Sequence, residues 1–161
     1  MTILCDSREH WTHPNSKDKH ISAYFDRHGI EWRVQKLDCG DYMLSDDHTI
    51  VVDRKKSLDE IATNMLNRKD SSRFWREVRR CHSQGIRLVI LCECGGKIKT
   101  INDVVTWHSQ YSSVTGRRLI NEMIRCEMAY GVTWLFCDKR STARRIVEIL
   151  TRKEKRNLVK D

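Results

Sequence analysis

Apolar positions in this chain change their period several times, and each change marks an element. The opening TILC is a short buried-strand run that leads straight into the polar DSRE. After a break at Pro14, Asn15 and Ser16, the residues Ile21, Tyr24, Phe25 and His28 recur at helical spacing and predict a helix that stops at Gly29. EWRVQKL and YML read as strands on either side of Gly40-Asp41, and a Ser45-Asp46-Asp47-His48 turn leads into a further strand, TIVVDRK.

Ser57 with Glu60 three positions on forms a capping box, ahead of a helix whose inner face is Leu58, Ile61, Ala62 and Met65. A basic helix over about 72–84 turns Phe74, Val78 and Cys81 inward and precedes the strand RLVILC. Thr100 with Asp103 caps another helix, and 113–130 reads as a longer one closed by Gly131. The strand VTWLFC and a last helix from Ser141, with Ile146, Val147 and Leu150 inward, complete the pattern. Early strands in close succession, then strands separated by helices, predict an α/β fold. The expected form is a three-layer, restriction-endonuclease-like domain with a central mixed sheet flanked by helices. One proline, no repeats and no biased tract leave residues 1–161 as a single expected domain.

Composition narrows the class. Hydrophobic content of 39% with 32% charged residues describes a globular chain that is not disordered. No stretch approaches the ~20 apolar residues of a membrane span, and the N-terminus lacks the pattern of a signal peptide, so no membrane partner is expected. Seven cysteines, an odd number scattered through apolar runs such as LVILCEC, predict free thiols in a reducing, intracellular compartment. Cys92-x-Cys94 has no second pair to complete a zinc site. The net charge of +8 points to a polyanionic partner. Arg68, Lys69, Arg73, Arg76, Arg79, Arg80 and Arg87 crowd one segment, and Lys139 to Lys160 holds another cluster.

Against this basic background a few acids stand out. In TIVVDRK, Asp53 and Lys55 lie two apart and share one face of the strand, while Val52 and Arg54 point the other way. With Asp41 about a dozen residues earlier, this is the D…DxK pattern of restriction-type nuclease sites, where carboxylates hold a hard divalent cation and a lysine steadies the phosphate or the attacking water. Taken alone, Asp41 is an ordinary turn acid after glycine, and Asp53-Arg54-Lys55 is a charged edge strand. The apolar run TIVV argues for a central strand instead, where a charged face is costly unless used. Asp6 sits at a strand end, where α/β folds place their active groups. Glu9 and Arg8 fit the site or a structural pair equally, and Asp59 in the first turn of its helix favours the helix dipole whatever else it does. Arg54 is expected to brace Asp59 or the opening strand. A helix carrying Arg73, Arg76, Arg79 and Arg80 fits phosphate contact better than a solvated face. Trp75 reads as core, and Trp11 as either core or a base-stacking residue.

CDSRE, LDCGDYML, VVDRKKSLD and SRFWREVRRC, in this order, resemble the nuclease domain of the XPF family of structure-specific endonucleases. That resemblance implies a DNA endonuclease acting with Mg²⁺ or Mn²⁺ on branched DNA such as flaps, forks or junctions. By the resemblance Asp6, Asp41 and Asp53 are the metal acids, and Lys55 is the catalytic lysine. Arg54 completes the catalytic signature, with Arg8, Glu9 and Asp59 in support, and Arg73, Arg76 and Arg80 hold DNA. The family's glutamate is Asp53 here, one methylene shorter. Family members usually add a tandem helix-hairpin-helix module, and this chain is expected to be a stand-alone version without it. Branch recognition is therefore expected from the domain itself, from a partner protein, or from a homodimer through the C-terminal helices (Leu119, Ile120, Met123, Ile124, Ile146, Val147 and Leu150). Two alternatives stand beside this reading: a Holliday-junction-type resolvase working as a symmetric dimer, and a catalytically inactive DNA-binding partner of another nuclease.

Overall fold

Six strands form one mixed sheet in the order β2-β1-β3-β4-β5-β6 in a computed structural model that describes residues 1–9 and 18–151, with the side chains of 68–71 left aside. The break at Pro14–Ser16, Trp11 and the basic stretch after Thr151 lie outside the described residues. Strand β1 (Thr2–Asp6) pairs in parallel with β2 (Glu31–Gln35) across helix α1 (Lys19–Arg27), and antiparallel with β3 (Tyr42–Leu44). Strand β4 (Ile50–Lys55) is antiparallel to β3 and parallel to β5 (Arg87–Cys92), which is parallel to β6 (Thr133–Phe136). The parallel pair β4–β5 encloses helices α2 (Leu58–Leu66) and α3 (Arg68–Ser83); β5–β6 encloses α4 (Gly116–Tyr130). Helix α5 (Thr142–Leu150) ends the described chain. This is the α/β mixed sheet that the sequence pattern predicts.

The two-residue period of the strands sorts side chains into two cores. Leu4, Val51, Leu88 and Ile90 pack with α2, α3 and α4 on one face through Ile61, Val78 and Met123. Ile3, Val52, Val89 and Leu91 pack with α1 and α5 on the other through Phe25 and Ile146. Each fully buried aliphatic side chain contributes about 1.5–3 kcal/mol relative to exposure, so a strand buried on both faces, like β5, is fixed in register. The consequence for function is the position of β4. It is central, and Asp53 follows Val51 onto the α2–α3 face while Arg54 follows Val52 onto the α1–α5 face.

Three element boundaries depart from the sequence pattern. Helix α3 begins at Arg68, well before residue 72, because polar residues continue the helix without an apolar signal. The Thr100–Asp103 capping box is present, but it opens only a 3₁₀ helix, Ile101–Thr106. Helix α4 begins at Gly116, with Thr115 as its cap, since 107–115 closes into a loop bridged from His108 to Thr115. At α2, Ser57 Oγ accepts the Glu60 N–H at 3.1 Å, while the Glu60 carboxylate reaches back to Lys56 N–H at 2.8 Å, one residue before the cap.

The proposed C-terminal dimer face is mostly interior. Leu119, Met123, Ile146 and Leu150 are buried in the two cores, Ile120 and Val147 pack against them, and Ile124 alone of the set is exposed, at 38%. Amphipathic spacing marks an apolar face without saying whether a partner or the sheet covers it; here the sheet does.

Candidate active site

Glycine makes the first turn of the site. Gly40 has φ of 70°, and a Cβ there would overlap the side chain of Val51, so the backbone can pass this close to β4 only without a side chain. Asp41 is then clamped on both sides: its N–H donates to Val52 O at 2.8 Å, and its carbonyl accepts from Asp6 N at 2.8 Å. Its Oδ2 accepts the Arg54 N–H at 2.8 Å.

Asp53 enters the same pocket from β4, only 5% exposed. Its Oδ2 lies 3.2 Å from Lys55 Nζ but has no well-directed hydrogen bond, which leaves a buried carboxylate oxygen open to another ligand. Burial, and then the neighbouring Asp53 charge, hold the Asp41 pKa well above the usual carboxylate range. Burial works to lower the Lys55 pKa, but Asp53, Glu60 and Asp41 outweigh it and keep the ammonium charged. The pocket, about 280 Å³, is also lined by Glu9, Glu60, Asn64, Arg73 and Glu77. A larger cleft of about 470 Å³ between 35–39 and 84–86 has no comparable cluster of acids.

Not every expected residue converges here. Asp6 borders the pocket, but Oδ1 accepts from Leu37 N at 2.9 Å and Oδ2 accepts Arg8 Nε at 2.6 Å, so this carboxylate is committed to holding β1 and the 37–40 segment together. Arg54 is turned away from the pocket altogether. Its guanidinium binds Glu93 and Asp18 at 2.6 Å each and Glu9 at 3.3 Å, which makes it a brace between β4, β5 and α1. It does not reach Asp59, whose Oδ1 instead accepts from Ser109 Oγ at 2.5 Å. Asp59 is outside the pocket. Arg8 and Glu9 do border it, and do not pair with each other.

Arg73 stands at the pocket rim, exposed. Arg76 is exposed one helical turn on, its Nε donating to Ser72 O at 3.3 Å. Arg80 donates to Asp38 O at 2.5 Å and so steadies the segment leading to Gly40. Trp75 is half-buried against the core, edge-on to Phe74.

Two pocket residues escaped the sequence reading. Glu77 Oε1 accepts the Gly40 N–H at 2.6 Å, and burial followed by the Asp53 charge raises its pKa. The signal was available, since Glu77 is the lone acid within SRFWREVRRC. Asn64 presents a buried Oδ1 with no hydrogen-bond partner; one turn after Glu60 on α2, it carried no pattern that would single it out.

Among the described residues no group of three His, Cys, Asp or Glu side chains forms a complete metal-ligand set. Asp41 and Asp53 nevertheless fit a hard divalent cation. They are two juxtaposed carboxylates: Asp53 Oδ2 is buried with only the Lys55 ion pair beside it, and Asp41 has a raised proton affinity that a cation would relieve; Mg²⁺ is commonly bound by one or two carboxylates with its waters retained.

XPF from Aeropyrum pernix has a similar structure, with a TM-score of 0.67 and 21% identity over 99% of this chain and 67% of that one. XPF from Aeropyrum pernix in complex with DNA matches at a TM-score of 0.67 and 19% identity over 96% of this chain and 65% of that one. The chain thus spans about two thirds of the length of the XPF chains it matches. No curated protein matches by sequence. The model of the ERCC4 domain matches residues 5–150, the span that runs from β1 through the Asp41–Asp53–Lys55 pocket to α5. With that match, and with the fold of XPF around the pocket, the chain belongs to the ERCC4-domain family.

Proposed function

We propose that the protein is a DNA endonuclease dependent on Mg²⁺ or Mn²⁺ and selective for branched DNA. The observation that carries this reading is the juxtaposition of Asp41, Asp53 and Lys55 in one buried pocket beside the exposed arginines of α3. Asp41 and Asp53 would hold the cation, in a pocket that Glu77 and Asn64 also line. When bound, that cation supplies Lewis-acid stabilisation of the charge developing on the phosphate oxygens. Lys55, kept protonated by its acidic neighbours, places a fixed positive charge at the scissile phosphate. Arg73 at the rim takes a neighbouring phosphate, and Arg76 the next along the helix. Hydrolysis by this arrangement leaves a 5′ phosphate and a 3′ hydroxyl. The match to a structure of XPF with DNA supports the choice of substrate.

Labelled flap, fork, four-way junction, single-stranded and duplex DNA, each with Mg²⁺ or Mn²⁺, test the reading beside Asp53→Ala. The wild type is expected to cut near the branch. Asp53→Ala is expected to lose at least about 10³ in rate, or ~4 kcal/mol of barrier, with DNA affinity retained. Cutting by Asp53→Ala at the wild-type rate sinks the site; binding without cutting by the wild type favours an inactive DNA-binding partner.

A further inference from the structure

The side of α2 that does not face the pocket borders a second cleft, of about 390 Å³, shared with the 107–115 loop. Glu60 and Asn64 look into the catalytic pocket, while Asp59 and Thr63, each one residue earlier, look into this cleft, so the two concavities adjoin across one helix. Tyr111 lines the cleft and is 86% exposed, the highest value among the large apolar side chains described. Trp107 and Val114, from the same loop, pack on the core, so the loop had buried positions for a ring and Tyr111 takes none of them.

The loop that presents Tyr111 is a built structure. Ser109 is buried; its hydroxyl donates to Asp59 Oδ1 at 2.5 Å and accepts the N–H groups of Tyr111 and Ser112 at 3.1 Å each. Ser109 N–H donates to Val114 O at 2.9 Å, and Gly116 N–H to Trp107 O at 2.6 Å, closing the loop at both ends. A side chain at Gly116 would overlap the Val104 and Trp107 carbonyls, so the closure requires glycine there. Arg118 lines the same cleft. An exposed aromatic ring on a fixed loop, with a cation lining the same cleft, matches how proteins hold unpaired nucleic acid: any base offers a face to stack on, and the cation follows the backbone.

We propose that the 107–115 loop is a stacking platform for an unpaired strand of the substrate. Tyr111 stacks on a base, Arg118 takes an adjacent phosphate, and Asp59 is a positioning residue that fixes the loop through Ser109. This rests on the nucleic-acid reading of the catalytic pocket, and it gives Asp59 a task outside that pocket.

Forked DNA with 2-aminopurine in its unpaired arm tests the proposal, with single-stranded and blunt duplex DNA alongside, in chelator so that no cutting intervenes. Against the wild type, Tyr111→Ala is expected to lose about five- to 150-fold in affinity for the fork and the single strand. It should also lose the quenching of 2-aminopurine, while duplex affinity stays unchanged and Tyr111→Phe restores both readouts. Ser109→Ala should speed hydrogen exchange across 107–115 and reproduce part of the loss, whereas Asp59→Asn, which keeps an acceptor for Ser109, should not. Equal affinity of the wild type and Tyr111→Ala for the fork overturns the platform, and equal losses on fork and duplex overturn its assignment to unpaired DNA. An unaltered exchange rate in Ser109→Ala overturns the positioning role. Cleavage is read separately: Tyr111-dependent binding in a protein that never cuts would sink the nuclease reading alone, and a wild type that binds none of these DNAs would sink both.

Discussion

At Asp41 one residue serves the backbone and the chemistry together. Its peptide groups tie β1 to β4, while its carboxyl, buried beside Asp53, holds a proton more tightly than an ordinary aspartate. Because the folded pKa is raised above the usual 3.8, the associated stability is complete below that value and is lost as pH rises through the folded pKa. Metal-free wild-type protein is therefore expected to weaken as pH climbs from the carboxylate range toward neutrality. Asp41→Asn should flatten that decline, leaving the part due to Glu9 and Glu77, whose pKa values are also raised. Urea midpoints across pH, in chelator, report this; an Asp41→Asn slope equal to the wild type's refutes the assignment. Gly40 next door is a second residue-scale test. Gly40→Ala meets both a positive φ and the Val51 side chain, and is expected to cost about 1–3 kcal/mol in unfolding free energy.

Helix α3 joins three tasks on three of its faces. Phe74, Val78 and Cys81 fasten it to the sheet, Glu77 reaches the Gly40 turn, and Arg73 and Arg76 face outward. The α3 arginines differ in use, which makes the helix separable by mutation. Arg76→Ala should lower the slope of log affinity against log salt by about 0.9 for the one phosphate contact it removes, without moving the unfolding midpoint. Arg80→Ala should instead lower the midpoint, because Arg80 donates to Asp38 O ahead of Gly40. Identical salt slopes for wild type and Arg76→Ala would show that this face of α3 does not meet DNA.

At the scale of the whole molecule, the sheet brings Asp41, just ahead of β3, and Asp53 of β4 into one pocket, where the proposed function has a cation take the place of the Asp41 proton. Addition of Mg²⁺ or Mn²⁺ to metal-free protein is expected to raise the thermal midpoint by about 5–10 °C at a hundredfold excess over Kd. Asp53→Ala should abolish that rise, and a rise of the same size in the variant would place the cation elsewhere. Among the described residues no helix is long and apolar enough to cross a membrane. The apolar faces of α4 and α5 are largely consumed by the two cores. Met128, 82% exposed, and Ile124 are the large apolar side chains α4 leaves outside.

Local signals determined much of this protein. Alternation in TIVVDRK separated Asp53 and Lys55 from Arg54, because strand side chains alternate whatever surrounds them. Gly40-Asp41, the Ser57 cap and the apolar stripes of α2 and α5 were legible for the same reason, being short-range consequences of backbone geometry. What needed the tertiary structure was every pairing between distant segments. Spacing could not say that Asp6 would commit its oxygens to Leu37 and Arg8, or that Arg54 would brace Glu93 and Asp18. Nor could it bring Glu77 to Gly40, or tie Asp59 to a serine fifty positions on. Sequence period fixes the face on which a side chain leaves its own element; only the packing of elements decides what meets it there.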